Sequence, residues 1–271
     1  MFSCLSKEKP APEHNIPKQI LSLINESENS IENRFLCPPG FKRVQLNSSS
    51  FSAYLRSLPL KKYGSSVNLF NGSIKLNQQA HLSVIDLPIG KRDLQQCADA
   101  VMRLRAEYLF NSKQFDKIHF NFTNGFKADY SKWKAGNRIA VSGNHVRWKP
   151  SSSSNGSYES FWKYLEMVFS YAGTASLEKE LPSKPISEMK IGDVLIQGGF
   201  PGHAVIVIDM CENEINGERM YMLAQSFMPA QEIQLLKNPL ADELSPWYKL
   251  NDNETIRTPE WTFTKNDLKS F

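Results

Sequence analysis

The sequence predicts an α+β fold in which helices pack against a mostly antiparallel sheet. Three observations predict it. Residues 94–109 place Leu94, Cys97, Val101, Leu104 and Tyr108 at helical spacing. Residues 203–210 read His-Ala-Val-Ile-Val-Ile-Asp-Met, a continuous apolar run of strand length that marks a buried central strand. Asn71-Gly72, Gly143-Asn144 and Asn216-Gly217 each divide two short runs of strand character, which is hairpin chemistry.

The elements follow in order. Residues 41–46 read as a strand after Cys37-Pro38-Pro39-Gly40, and 50–58 as a short helix stopped by Pro59. Residues 66–70 and 74–76 flank the first hairpin turn, and 81–87 form another strand that runs into Pro88-Ile89-Gly90. Asp93 followed by Gln96 is a capping-box pattern, with Asp93 as N-cap and Gln96 as third helical residue. Residues 117–123, 138–142 and 145–148 alternate as strands, and 151–156 is a Ser-rich loop. An aromatic-rich helix spans 158–171, ended by Gly173, and 176–181 is a brief helical turn. Strands at 191–197, 203–210 and 221–227 complete the reading. Residues 31–271 form one domain on this reading, with an insertion at about 111–156.

Composition narrows the function classes. Among 271 residues Lys plus Arg exceed Asp plus Glu by four, and the charges are dispersed. No basic stripe points to nucleic acid. No CxxC, HExxH or phosphate-loop pattern occurs, and the histidines at 14, 81, 119, 145 and 203 share no metal-ligand spacing. No metal and no cofactor are therefore expected. No apolar run is long enough to cross a bilayer.

Two residues carry chemistry. Cys97 lies at the start of its helix, where the helix-end partial charge favours the nucleophilic thiolate. The plain alternative is a small buried hydrophobe. His203 opens the apolar strand beside Gly202, placed to take a proton from a thiol and return it to a leaving group. Its plain alternative is a strand-end histidine bonded to solvent or a turn.

Gln96-Cys97-Ala98, then Ile191-Gly192-Asp193-Val194, then Gly202-His203-Ala204-Val205 resemble, in that order, the papain-like amidases of the NlpC and CHAP families. The whole chain also resembles an uncharacterised domain-of-unknown-function family of bacterial, often lipoprotein-like, proteins. The phrases 93–100, 201–205, 223–226 and Pro259-Glu260-Trp261 carry that second likeness. The first resemblance implies a papain-like cysteine hydrolase core, with Cys97 as nucleophile, His203 as base and a polar orienter on the next strand. Gln225 and Ser226 are the candidates, and the hairpin turn decides between them. A three-residue loop pairs Glu214 with Glu218 and sets Gln225 opposite Val207, on the face of His203; a two-residue turn sets Ser226 there. Gln225 is preferred, because its amide reaches a ring nitrogen.

The oxyanion donors expected are the backbone N–H of Cys97 and the Gln95 side chain, since Lys91 stands where such proteases often carry glutamine. Trp133 is a candidate for stacking on a sugar or peptidoglycan-like ligand, though the core of the insertion is its plainer place. The resemblance implies an amidase or peptidase acting on peptide or cell-wall peptide. The alternative is a non-catalytic envelope-binding or scaffold protein. Phe2-Ser3-Cys4 followed by a polar stretch resembles the end of a lipoprotein signal. Cys4 would then carry lipid, residues 1–30 would form a tether with a weak helix near 17–24, and the protein would sit in the cell envelope. An ordinary cytoplasmic start with a disordered arm is the other reading. Trp247 and Trp261 read as anchors of the C-terminal tail, and spacing does not say whether Cys37 and Cys211 pair.

Overall fold

A long antiparallel hairpin organises the sheet. Its arms are His203–Asn213 and Arg219–Gln225, and both are buried for most of their length. Each outer edge of the hairpin accepts two short strands end to end. Val194–Gln197 pairs with the start of the histidine strand and Phe41–Arg43 with its far end. Gln234–Leu236 and Tyr248–Leu250 divide the edge of the second arm in the same way. Leu268–Lys269 and His81–Val84 close the two sides, giving eight strands. The fold is α+β with a mostly antiparallel sheet. This computed structural model describes residues 22–271.

Helix Cys97–Asn111 lies at the centre and packs against the histidine strand and helix Tyr158–Tyr171. It is buried almost all round, and even Asp99, Arg103 and Glu107 are hidden. A helix covered on every side loses the simple apolar stripe of a surface helix. Arg103 is accommodated by Gln95 Oε1 at 2.6 Å, by Glu107 at 3.5 Å and by the Trp162 ring at 4.7 Å.

Local chemistry explains the joins. Ser50 caps helix Phe51–Arg56 by accepting from the Ala53 N–H at 3.1 Å. Gly192 has φ of +97°, and a Cβ there would also press on the Phe51 ring, so the Gly-Asp turn needs glycine. Asp193 closes that turn by accepting from the Lys190 N–H and Lys184 Nζ, both at 2.7 Å. Cys211 is buried beside half-buried Cys37, and both are free thiols.

Several expectations change. The expected N-cap Asp93 gives way to Gln96, so Cys97 is the first helical residue rather than one turn in. Asp99 supplies the capping contact, accepting from the Gln96 N–H at 3.0 Å. Asp93 instead accepts from the Ala230 N–H at 2.7 Å. Of the tether expected over residues 1–30, the described part is packed against the domain: Leu23 is buried and Ile24 bridges Phe35. Cys4 and residues 17–21 of the expected weak helix lie outside the described residues, and Ser22, Leu23 and Ile24 are not helical. The segment expected as an insertion holds two hairpin-like pairs, His119–Asn121 with Lys127–Asp129 and Asn137–Ser142 with His145–Pro150, around helix Tyr130–Lys134.

Candidate functional site

The site gathers where the histidine strand begins and the cysteine helix starts. Ser226, just past the second hairpin arm, ties that arm to the approach to the helix, since its hydroxyl lies 3.0 Å from the Gln95 carbonyl and 2.8 Å from that of Gln231. Gly202 allows the turn before His203 to close, because a Cβ there would run into Thr174 Oγ1 and the Gln197 and Gly199 carbonyls. The backbone N–H groups of Ala98, Ala204 and Cys97 itself lie near enough to ease the Cys97 thiol toward its charged form, and Ala204 is one residue past His203. Among the hydrogen bonds of the described residues, none joins the sulfur to the His203 ring.

His203 is 1% exposed and bonds through Nε2 to Gln225 Oε1 at 2.8 Å. Its ring packs among Phe227 at 4.8 Å, Trp261 at 5.3 Å and Phe263 at 5.9 Å. The Trp261 indole N–H is fixed by Gln197 Oε1 at 2.9 Å. Gln225 donates through Nε2 to Glu260 Oε2 at 2.7 Å.

The register that brings Gln225 to His203 differs from the expected one. Asn213 and Glu218 close a four-residue loop, and an irregularity between Val207 and Asp209 takes up one more residue. Val207 therefore faces Leu223, not Gln225. Gln225 lands opposite Val205, still on the face of His203, because side chains alternate with a period of two.

Burial sets the resting charges. It raises the Cys97 thiol to about 11, with Asp99 adding to the rise and the nearby backbone N–H groups opposing it. The thiolate expected from the helix end is thus not the resting form. Burial lowers His203 to about 4, against the Gln225 bond and the Glu260 charge, which raise it. Burial also lifts Asp99 to about 8, opposed by its contacts with the Gln96 and Asp99 N–H groups. Asp99 Oδ1 is buried with no hydrogen-bond partner among the described residues.

A cleft of about 190 Å³ opens over the helix start, lined by Gln96, Cys97, Asp99, Thr174, Phe200 and Met228. Phe200 and Met228 are exposed apolar residues at its lip. Among the described residues no group of three or more His, Cys, Asp or Glu side chains is arranged to hold a metal.

The remaining candidates fall elsewhere. Gln95 is buried, and Arg103 and the Gln231 carbonyl occupy its amide, so it is not free to stabilise an oxyanion. Gln96, which the sequence assigned to capping, lines the cleft, caps the helix together with Asp99, and donates its amide N–H to Asp93 Oδ1 at 3.3 Å. Ser226 is a fastener of the helix start, not a partner of His203. Trp133 is 4% exposed and donates to the Ser160 carbonyl at 3.0 Å, so it fills the core of its own segment and presents no stacking surface. Glu260 was visible only as part of Pro259-Glu260-Trp261, and nothing in its spacing tied it to Gln225.

Neither curated proteins nor solved structures provide a match to this chain. The family model described as Domain of unknown function (4846) matches residues 31–270, and the chain belongs to that family.

Proposed function

We propose that the protein is a cysteine-dependent amide hydrolase with a papain-like core of the NlpC or CHAP kind, working through an acyl-enzyme. One observation carries the reading: the Cys97 thiol, at the first residue of a buried helix, lies close enough to the Ala204 N–H to be influenced by it, one residue from a histidine whose ring is bonded to Gln225. Catalytic hydrogen bonds are often long before substrate binds. A rotation of the Cys97 side chain is the step that brings the thiol to His203.

The ring donates Nε2–H to Gln225 and keeps a lone pair on Nδ1. Nδ1 takes the thiol proton as sulfur attacks the carbonyl carbon. The oxyanion is held by the Cys97 N–H, which has no intrahelical partner at the first helical position. The Gln96 amide at the cleft is the second donor. Collapse breaks the C–N bond, and His203 delivers its proton to the departing amine. Water, deprotonated by His203, then cleaves the thioester and restores the thiol. The apolar lip formed by Phe200 and Met228 suits a peptide with an apolar side chain next to the scissile bond. Cell-wall peptide is the first substrate to try, and a lipid-tethered position in the envelope is the setting that would match it.

The test is hydrolysis of peptidoglycan and of a peptide-amide panel. Cys97→Ala and His203→Ala are expected to abolish turnover while both proteins remain folded. Gln96→Ala is expected to lower kcat by about 10²–10³. Equal turnover by wild type and Cys97→Ala defeats the enzyme reading.

A second reading has its own support. A buried thiol held up at about 11, with no bond to the histidine, also suits a protein that keeps the architecture as a binding scaffold. Binding of peptidoglycan without turnover, unchanged in Cys97→Ala, would decide for it.

A further inference from the structure

We propose that Lys75 and Glu260 are positioning residues that lock the Gln225 amide in one orientation, and through it hold His203 as the Nε2–H tautomer. An amide group between two neighbours can turn either end toward each, so something must choose. Here the choice is made by a carboxylate. Glu260 Oε2 accepts from Gln225 Nε2 at 2.7 Å, and a carboxylate can only accept. The oxygen end of Gln225 is thereby turned to His203, 2.8 Å from Nε2. An oxygen facing a ring nitrogen requires that nitrogen to carry the proton.

Glu260 is itself held on both oxygens. Lys75 Nζ lies 2.5 Å from Oε2, and Asn77 Nδ2 donates to Oε1 at 3.0 Å. The Lys75 and Glu260 side chains are 7% and 12% exposed, so the pair is nearly dry and strongly directional. Each comes from a backbone made rigid nearby. Thr258 closes the turn carrying Glu260 by bonding the Trp261 backbone through both N–H and hydroxyl. The Lys75 backbone is bonded to Val67 and Gln78. The line Lys75–Glu260–Gln225–His203 thus joins three segments distant in the chain, and Trp261 covers the ring at its end.

What the tautomer does for Cys97 rests on the hydrolase reading above; the tautomer itself does not. An Nε2–H ring leaves Nδ1 as the base, whereas an Nδ1–H ring would present a donor there and could not take the thiol proton.

The experiment is long-range 1H–15N correlation on protein with 15N-labelled histidine, run on wild type, Cys97→Ala and the double variant Lys75→Met, Glu260→Leu. Replacing both members of a buried ion pair by apolar residues is often neutral for folding, whereas removing one strands the other. Wild type and Cys97→Ala are expected to show His203 purely as the Nε2–H form. The double variant is expected to show a mixture containing Nδ1–H, with kcat reduced about tenfold and KM unchanged, within the usual contribution of a positioned base. A pure Nε2–H ring in the folded double variant overturns the inference, and so does an Nδ1–H ring in wild type. If the double variant does not fold, Glu260→Gln takes its place, since its amide can present a donor as well as an acceptor to Gln225, and a pure Nε2–H ring there overturns the inference. If Cys97→Ala keeps full turnover, the hydrolase reading fails while the tautomer result stands.

Discussion

Opposing influences meet at Cys97. The helix end and the N–H groups of Ala98 and Ala204 favour a thiolate, while burial and the neighbouring Asp99 favour a thiol. Burial wins, because loss of water penalises the charge more than partial dipoles repay. Alkylation of resting Cys97 by iodoacetamide should therefore be slow at neutral pH and climb toward about pH 11. A rate that levels off below pH 8 would mean that an ion pair with His203 already exists. Asp99 is read in the same way. Its carboxyl titrates at about 8 when folded and near 3.8 when free. Its contribution to stability is fully present below 3.8 and is lost as pH rises through 8, since the unfolded chain sheds the proton first. Asp99→Asn keeps an acceptor for the Gln96 N–H and removes that dependence. The variant is expected to gain melting temperature over wild type steadily from pH 5 to pH 8. A difference that does not change with pH would place the Asp99 proton elsewhere.

At the scale of elements, the strands and helices that position the site were legible because their patterns are strong. The cysteine helix and the histidine strand followed from periodicity and an apolar run. The pairing between the two hairpin arms did not follow, because one bulge and a four-residue loop shift register by amounts no single turn signal reveals. Gln225 still met His203 because the combined shift was even. The cap differs from the sequence expectation for a related reason: Asp93 fits the capping pattern with Gln96, and only tertiary contact with the Ala230 N–H draws it away. The histidine strand also carries a buried carboxylate that ties three elements together. Asp209 bonds Arg43 of strand Phe41–Arg43 and Arg56 of helix Phe51–Arg56, each at 2.7 Å. Asp209→Ala leaves two guanidinium groups without their partner in a largely dry place. A loss of about 3–5 kcal/mol is expected, read as a lower urea midpoint with unchanged slope. A loss under about 1 kcal/mol would show that water already screens the cluster.

Across the whole molecule, the C-terminal segment is what the sequence hid. Strands Thr255–Arg257, Thr262–Thr264 and Leu268–Lys269 are two or three residues long, too short for any period to show. Yet this segment brings Glu260 to Gln225 and Trp261 and Phe263 to His203. Two aromatic residues of the 111–156 segment present the reverse case, conspicuous in sequence and packed inward in the fold. Tyr130 and Trp133 are buried, and they pack edge-to-face against Phe161 and Tyr164 of helix Tyr158–Tyr171. That packing makes Tyr130 and Trp133 supports for the helix that packs against the cysteine helix. Trp133→Ala removes a large buried ring and leaves the Ser160 carbonyl without its indole donor. The expected cost is about 3–5 kcal/mol, seen in urea unfolding. At a temperature where the variant is still folded, any Cys97-dependent hydrolysis should keep its wild-type KM. A raised KM with unchanged stability would instead return Trp133 to the substrate surface and require the segment to open.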